Sequence, residues 1–189
     1  KKNIIEKLTL SRFSQTHLSS LSSEANYREF LKNKKIALVG PADYLENSNL
    51  GNEIDSFDLV VRINRGIELI GKYHKDIGQR TDILYSCLIE QPTNAGIIDP
   101  IVYSNEYKLK FLCTTPFPKR RFLSRKTDIH PMADKEKFRN LSKLIPTRII
   151  PLEFWRNFSK ALDTRPTTGY ISIFDILEFK PKELKIFGF

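Results

Sequence analysis

Short, continuous apolar runs alternate along this chain with longer stretches whose apolar residues recur three or four apart, a pattern that predicts an α/β fold. Ile36 to Val39 is such a run and stops at Gly40-Pro41, as expected of a strand buried on both faces. Further strands are predicted over Leu59 to Ile63, Ile83 to Cys87, Leu109 to Cys113, Arg148 to Ile150 and Leu184 to Phe187. Helices are predicted from Ser22 or Ser23 to Lys32, from Asp134 to Leu144 and from Glu153 to Leu162. In the last two, Phe138, Leu141 and Leu144 are spaced by three and Phe154, Phe158 and Leu162 by four. A further helix, Tyr170 to Leu177, is expected with Thr167 or Thr168 as its cap. The order of these elements predicts a Rossmann-like, mostly parallel sheet with helices on both faces, its strands joined by right-handed crossovers.

Composition bounds this picture. The chain has 189 residues, of which 40% are hydrophobic, enough for one compact core without internal repeats. Residues 1–21 are polar and Ser-rich and read as a peripheral segment, which leaves 22–189 as a single α/β domain. The chain starts at Lys1 without a Met, so a longer parent, extended by an anchor or a further domain, is expected. No run of eighteen apolar residues and no secretory pattern occurs. The formal net charge of +9 favours anionic partners, and its densest cluster is Lys119, Arg120, Arg121, Arg125 and Lys126. A solvated basic surface is the plainer explanation of such a run. Nucleic-acid binding has only composition behind it, and no nucleic-acid partner is expected. Cys87 and Cys113 sit in apolar contexts that predict small buried side chains rather than a disulfide, and His17, His74 and His130 are too scattered for a zinc site.

In parallel sheets ligands sit beyond the carboxyl ends of the strands, where helix N-termini favour phosphate. The turn after the first strand, Gly40-Pro41-Ala42-Asp43, is therefore a candidate site. It lacks the Gly-x-Gly-x-x-Gly dinucleotide fingerprint, and no phosphate-binding Gly-x-x-x-x-Gly-Lys-Ser/Thr loop occurs anywhere. No Asp-x-Asp triplet exists to clamp a divalent ion on a nucleotide sugar, so no metal and no cofactor is expected.

Two blocks carry a family resemblance. The first, Lys34 to about Asp82, contains Val39-Gly40, Gly51, Ile54-Asp55, Asp58, Val60, Arg62, Asn64, Gly71, Asp76-Ile77-Gly78 and Arg80-Thr81. The second, Pro166 to Phe189, contains Pro166-Thr167-Thr168-Gly169 and Phe187-Gly188-Phe189. They resemble the long and short sialylmotifs of the family 29 glycosyltransferases, the sialyltransferase-type enzymes. The resemblance implies a sialyltransferase-type variant of the GT-A fold. It also implies a metal-independent, inverting transfer of sialic acid, or a related 3-deoxy-2-ulosonic acid (Kdo-like), from a CMP-sugar donor to a hydroxyl of a glycan or glycolipid acceptor. Nucleotide-binding positions carry over to Gly40, Pro41, Ala42, Asp43, Asn64, Thr167, Thr168 and Gly169, with the Gly40 and Gly169 turns facing each other across a shared cleft.

Asn64 is equally a turn residue before Arg65-Gly66, and Thr167 or Thr168 equally a plain helix cap. Arg62 is expected to pack or to pair with Asp55 or Asp58. Pro41 departs from the family, which usually has Asn there, and lacks an N–H, so phosphate recognition shifts toward Ala42, Asp43 or the Thr-Thr-Gly turn. The catalytic residue is left unassigned, because the family's catalytic His lies in a motif downstream of the short sialylmotif. The basic loop near Arg120 is a candidate for holding a sugar carboxylate or an anionic acceptor. Missing family cysteines favour a cytoplasmic, bacterial-type enzyme, with peripheral association at an anionic inner-membrane surface, over one of the Golgi lumen. The alternative is a noncatalytic nucleotide-binding module of a carbohydrate-assembly protein.

Overall fold

The computed structural model of the chain describes residues 23–41, 45–116 and 135–189. Helix α1 (23–31) leads into β1 (Lys35–Val39). There follow α2 (Gly51–Asp55), β2 (Leu59–Ile63), a 3-10 turn (Asn64–Ile67), α3 (Ile70–Ile77), β3 (Ile83–Ser86), α4 (Pro100–Asn105) and β4 (Phe111–Thr114). The chain continues with α5 (Lys135–Leu144), β5 (Thr147–Ile149), α6 (Leu152–Ala161), α7 (Thr168–Glu178) and β6 (Glu183–Phe187). The strands form one sheet in the order β5-β4-β3-β2-β1-β6, and every ladder is parallel. Each expected strand is present, its ends displaced by at most two residues.

Alternate strand residues feed opposite cores. Ile36, Leu38, Val61, Ile83, Tyr85 and Cys113 pack with Tyr27 of α1, Trp155 of α6 and Ile171 and Ile176 of α7. On the other face, Leu84 and Leu112 pack with Ile70, Tyr103 and Leu141, while Ala37, Val39 and Val60 pack with Ile54 and Ile77. Helices therefore cover both faces. The chain builds the sheet outward from β1 to β5, then returns across the other face through α6 and α7 to add β6 on the far side of β1. This reversal next to β1 is a topological switch point, and in doubly wound sheets ligands usually bind at the carboxyl ends of the strands beside one.

Much of the first sequence block is scaffold for that edge. A Cβ on Gly51 would lie 2.3 Å from the carbonyl oxygen of His74, so α2 and α3 touch through a residue without a side chain. Asp55 accepts from the Gln79 and Arg80 N–H groups at 2.8 and 3.1 Å, and Asp76 accepts from the Asn49 N–H at 2.9 Å. Arg62, 1% exposed, donates to the carbonyls of Ile77, Gly78 and Arg80 and to the Thr81 hydroxyl. Burial pushes its pKa down to about 10, with the Asp55 charge opposing. Arg62 is thus structural as expected, but it hydrogen-bonds backbone carbonyls where a carboxylate partner was expected. Asp55 is held by Gln79 and Arg80, and Asp58 accepts from the Lys35 N–H at 2.8 Å.

On the opposite face Arg148 of β5 is buried between two carboxylates. It reaches Asp175 of α7 at 2.6 and 3.0 Å and Glu24 of α1 at 2.6 and 3.0 Å. The Tyr85 hydroxyl donates to Asp175 at 2.6 Å and lies 2.9 Å from the Tyr27 hydroxyl. Burial opposes the Arg148 charge, yet Asp175 and Glu24 outweigh it and hold the guanidinium protonated. Burial pushes the neighbouring Cys113 thiol up to about 12 and raises Tyr27 and Tyr85 well above the usual phenol range. In each case the folded state holds its proton longer than the unfolded chain. The Cys113 contribution is complete below the ordinary thiol value of 9.0 and is lost as pH climbs from there toward 12, and that of the two tyrosines is lost only above the ordinary phenol value of 10.0. Urea midpoints measured between pH 7 and 11 are expected to be level at first and to fall above about pH 9; a flat profile to pH 11 would contradict this burial.

Candidate functional site

The carboxyl ends of β1 and β6 meet at this switch point. The Gly40 N–H donates to the Phe187 carbonyl at 2.8 Å, extending the β1–β6 ladder past the strand. A Cβ on Gly40 would lie 2.1 Å from the Gly188 carbonyl oxygen, so this glycine is required by the close passage of β6. Gly188 itself has φ +71° and lies against Leu45 and the Gly40 carbonyl. The Phe189 ring then extends between the two predicted turns. Its edge lies 2.9 Å from where a Gly40 Cβ would be and 3.0 Å from the corresponding point on Gly169. The two turns are therefore neighbours, one ring apart. The expected open cleft between them is corrected, because the half-exposed Phe189 ring fills the space.

A second convergence joins β2, β3 and α7. Asn64 follows β2 with φ 49°, a left-handed conformation that Asn tolerates better than most residues, and its Oδ1 accepts from the Cys87 N–H at 2.9 Å. The Thr168 side chain and Arg165 lie within electrostatic reach of the Cys87 thiol. Burial raises the Cys87 pKa, while the Ile89 backbone, Arg165 and Thr168 pull against it. Asn64 and Thr168, 104 positions apart in the sequence, thus both lie beside Cys87. Beyond Cys87, Leu88 has φ 53° and its N–H donates to the Ser86 hydroxyl at 3.1 Å, which turns the chain sharply off the strand end.

Helix α7 starts at this junction. Thr167 caps it, its hydroxyl accepting from the Tyr170 N–H at 3.1 Å, as the cap reading expects. Thr168 is buried and Gly169 half-buried in the first turn, where N–H groups have no intrahelical partner and the helix dipole favours an anion. Pro41 is exposed and lies beside Gly66. It also lines a cavity of about 30 Å³ with Leu45, Leu69, Tyr73 and Ile77, room for roughly one water and too small for a nucleotide. Ala42 and Asp43 lie outside the described residues, as do the cluster Lys119 to Lys126, His17 and His130. His74 is exposed on α3. Among the described residues no three His, Cys, Asp or Glu side chains gather as a metal would require, and no helix is long and apolar enough to cross a membrane.

Sequence reasoning missed Cys87 and Arg165 as members of this site. Cys87 ends an apolar run and reads as core; only the fold shows it between Asn64 and Thr168. Arg165 precedes the Pro-Thr-Thr-Gly turn by one residue, and that cation beside a candidate phosphate turn was the available signal.

Comparison with known proteins identifies the family and the fold. The model of glycosyltransferase family 29 (sialyltransferase) matches residues 3–189. Over 75 residues, 39% of this chain, the sequence is 35% identical to the type 2 lactosamine alpha-2,3-sialyltransferases of Homo sapiens and Pongo abelii, and the matched stretch is 22% of their length. The crystal structure of a mammalian sialyltransferase superposes with TM-score 0.54 at 18% identity, covering 82% of this chain and 54% of that one. A mammalian sialyltransferase in complex with Gal-beta-1-3GalNAc-ortho-nitrophenol gives TM-score 0.56 at 18% identity, with 86% and 57% covered. The fold is shared with these structures, and the chain spans little more than half of each.

Proposed function

The chain belongs to glycosyltransferase family 29, the sialyltransferase family, and on that premise we propose that it transfers an acidic sugar from a CMP-activated donor to a glycan hydroxyl. The donor sugar is sialic acid or a Kdo-like 3-deoxy-2-ulosonic acid. The observation that supports this reading is that Asn64, whose Oδ1 accepts from the Cys87 N–H, and Thr168, beside the Cys87 thiol in the first turn of α7, come together at the carboxyl ends of β2 and β3. There the N–H groups of Thr168 and Gly169, the Thr168 hydroxyl and the Asn64 amide offer donors to a nucleotide phosphate. These donors stabilise the charge that grows on CMP as it departs, while a base takes the proton of the attacking hydroxyl. Pro41 contributes shape and no N–H. The transfer is direct and needs no metal, a reading supported by the lack of an Asp-x-Asp clamp. We place the enzyme in the cytoplasm, supported by two cysteines that are both free and buried.

Titration of CMP by calorimetry tests the donor reading. Wild type is expected to bind CMP with or without a chelator, and Thr167→Ala/Thr168→Ala to bind it about 10- to 100-fold more weakly, the range for losing one hydrogen bond to a charged group. Equal affinity in the variant, or no affinity for any cytidine nucleotide in the wild type, would defeat the assignment. Binding abolished by chelator would defeat the metal-free route.

A further inference from the structure

The segment that leads into α7 carries a cation with nothing to bind. Arg165 stands two residues before the Thr167 cap and directly before Pro166, a position that favours extended backbone. Exposure alternates along this stretch, with Arg165 and Thr167 exposed and Pro166 and Thr168 buried. The guanidinium and the capping hydroxyl therefore belong to the same side of the segment. Among the described residues Arg165 forms no hydrogen bond or ion pair, not even with Asp163 two residues before it. Other cations near this end of the sheet are engaged: Arg65 donates to the Pro92 carbonyl at 3.0 Å, and Lys137 pairs with Glu90.

The place of this free charge matters. The Tyr170 N–H is taken by the Thr167 hydroxyl and the Ile171 N–H by the Thr167 carbonyl, which leaves the Thr168 and Gly169 N–H groups without an acceptor among the described residues. Arg165 acts on the Cys87 thiol, so its charge is felt at the carboxyl end of β3, where Asn64 also lies. Pro41 brings neither an N–H nor a polar side chain to this junction. A 2-ulosonic acid activated by CMP bears its carboxylate on the same carbon that is bonded to the phosphate oxygen. With that phosphate on the first turn of α7, the carboxylate falls beside it, within the span of a long side chain rooted just upstream. The planar fork of a guanidinium takes both oxygens of a carboxylate, which the lone N–H and O–H donors of the turn do not.

We propose that Arg165 receives the carboxylate of the donor sugar and is the residue through which this chain selects an acidic donor. The inference rests on the transferase reading, which puts the donor phosphate at the first turn of α7.

Calorimetry tests it with CMP, with CMP-3-fluoro-sialic acid as a donor analogue that does not transfer, and with the carboxyl methyl ester of that analogue. Wild type is expected to bind the acid about 10- to 100-fold more tightly than the ester, the range for a hydrogen bond between charged groups. Arg165→Ala is expected to bind the acid as weakly as the ester, yet to keep its CMP affinity within about threefold, because an exposed charge acting at a distance is screened. Arg165→Lys retains the charge without the fork and is expected to fall between the two. Urea midpoints of both variants are expected to match wild type, since the side chain is exposed and partnerless. If Arg165→Ala loses CMP and the acid alike, the guanidinium serves the phosphate and the carboxylate assignment is overturned. If the preference for acid over ester survives in Arg165→Ala, or is missing in wild type, the assignment is overturned while CMP binding stands. Failure of wild type to bind CMP overturns it together with the donor reading.

Discussion

Asp175→Ala is expected to lower the unfolding free energy by about 3–5 kcal/mol, the cost of stranding a buried charge by removing its partner. Asp175 is 2% exposed and takes two hydrogen bonds from Arg148 and one from Tyr85. Without it Arg148, itself 2% exposed, keeps Glu24 alone, which is more accessible to water, and the Tyr85 hydroxyl loses its acceptor. A domain with a total stability of roughly 5–15 kcal/mol is left marginal by such a loss. Urea unfolding checks the magnitude, and a cost under about 1 kcal/mol, typical of exposed pairs, would mean that the pair is solvated. The companion Arg148→Met/Asp175→Leu removes both charges and is expected to be less destabilised than Asp175→Ala, because apolar replacement of a buried pair is often neutral or better.

This network also bears on function. Asp175 lies about two turns along α7 from Thr168, and Tyr85 on β3 is two residues before Cys87. One charge cluster therefore holds both the helix that offers N–H groups to the donor and the strand that places Cys87 between Asn64 and Thr168. Tyr27 and Phe179 stack on the Arg148 guanidinium, each 4.9 Å from its centre, and close the cluster against water.

The strands were readable because a sheet covered on both faces makes each of them a continuous apolar run, so Leu59 to Ile63 emerges with its true ends. The helices between β1 and β4 were not. α2 has only five residues, and α3 is interrupted by Tyr73 at φ −117°, so neither sustains a helical period. α4 did carry a signal, since Asp99 caps it and Pro100 opens it, but its run is short. At the site, Asn64 and Thr168 were visible through motif resemblance, whereas the reason for Gly40 was not. Its partner Gly188 lies 148 residues away, and only the β1–β6 pairing brings that carbonyl against it. The Arg148–Asp175 pair was hidden for the same reason: a charge at a strand start reads as solvated until a helix from elsewhere covers it.

Asn64 tests whether the edge of the sheet recognises a nucleotide or merely turns a corner. Asn64→Asp keeps the oxygen that accepts from the Cys87 N–H and keeps a residue type that tolerates the left-handed φ of 49°. Stability is therefore expected to change by no more than about 0.5 kcal/mol. The same substitution removes the Nδ2 donor and sets a negative charge where a phosphate is to bind. Losing a hydrogen bond to a charged group costs about 1.5–3 kcal/mol, so CMP affinity is expected to fall roughly 10- to 100-fold, with charge repulsion deepening the loss at low salt. Asn64→Ala has the opposite profile in stability. It leaves the Cys87 N–H without its acceptor and replaces Asn with a residue less tolerant of a left-handed turn, at a cost of about 1–3 kcal/mol. A calorimetric CMP titration beside a urea melt separates the two roles. If Asn64→Asp binds CMP as wild type does while Asn64→Ala loses only stability, Asn64 is a turn residue, and donor recognition rests on the first turn of α7 alone.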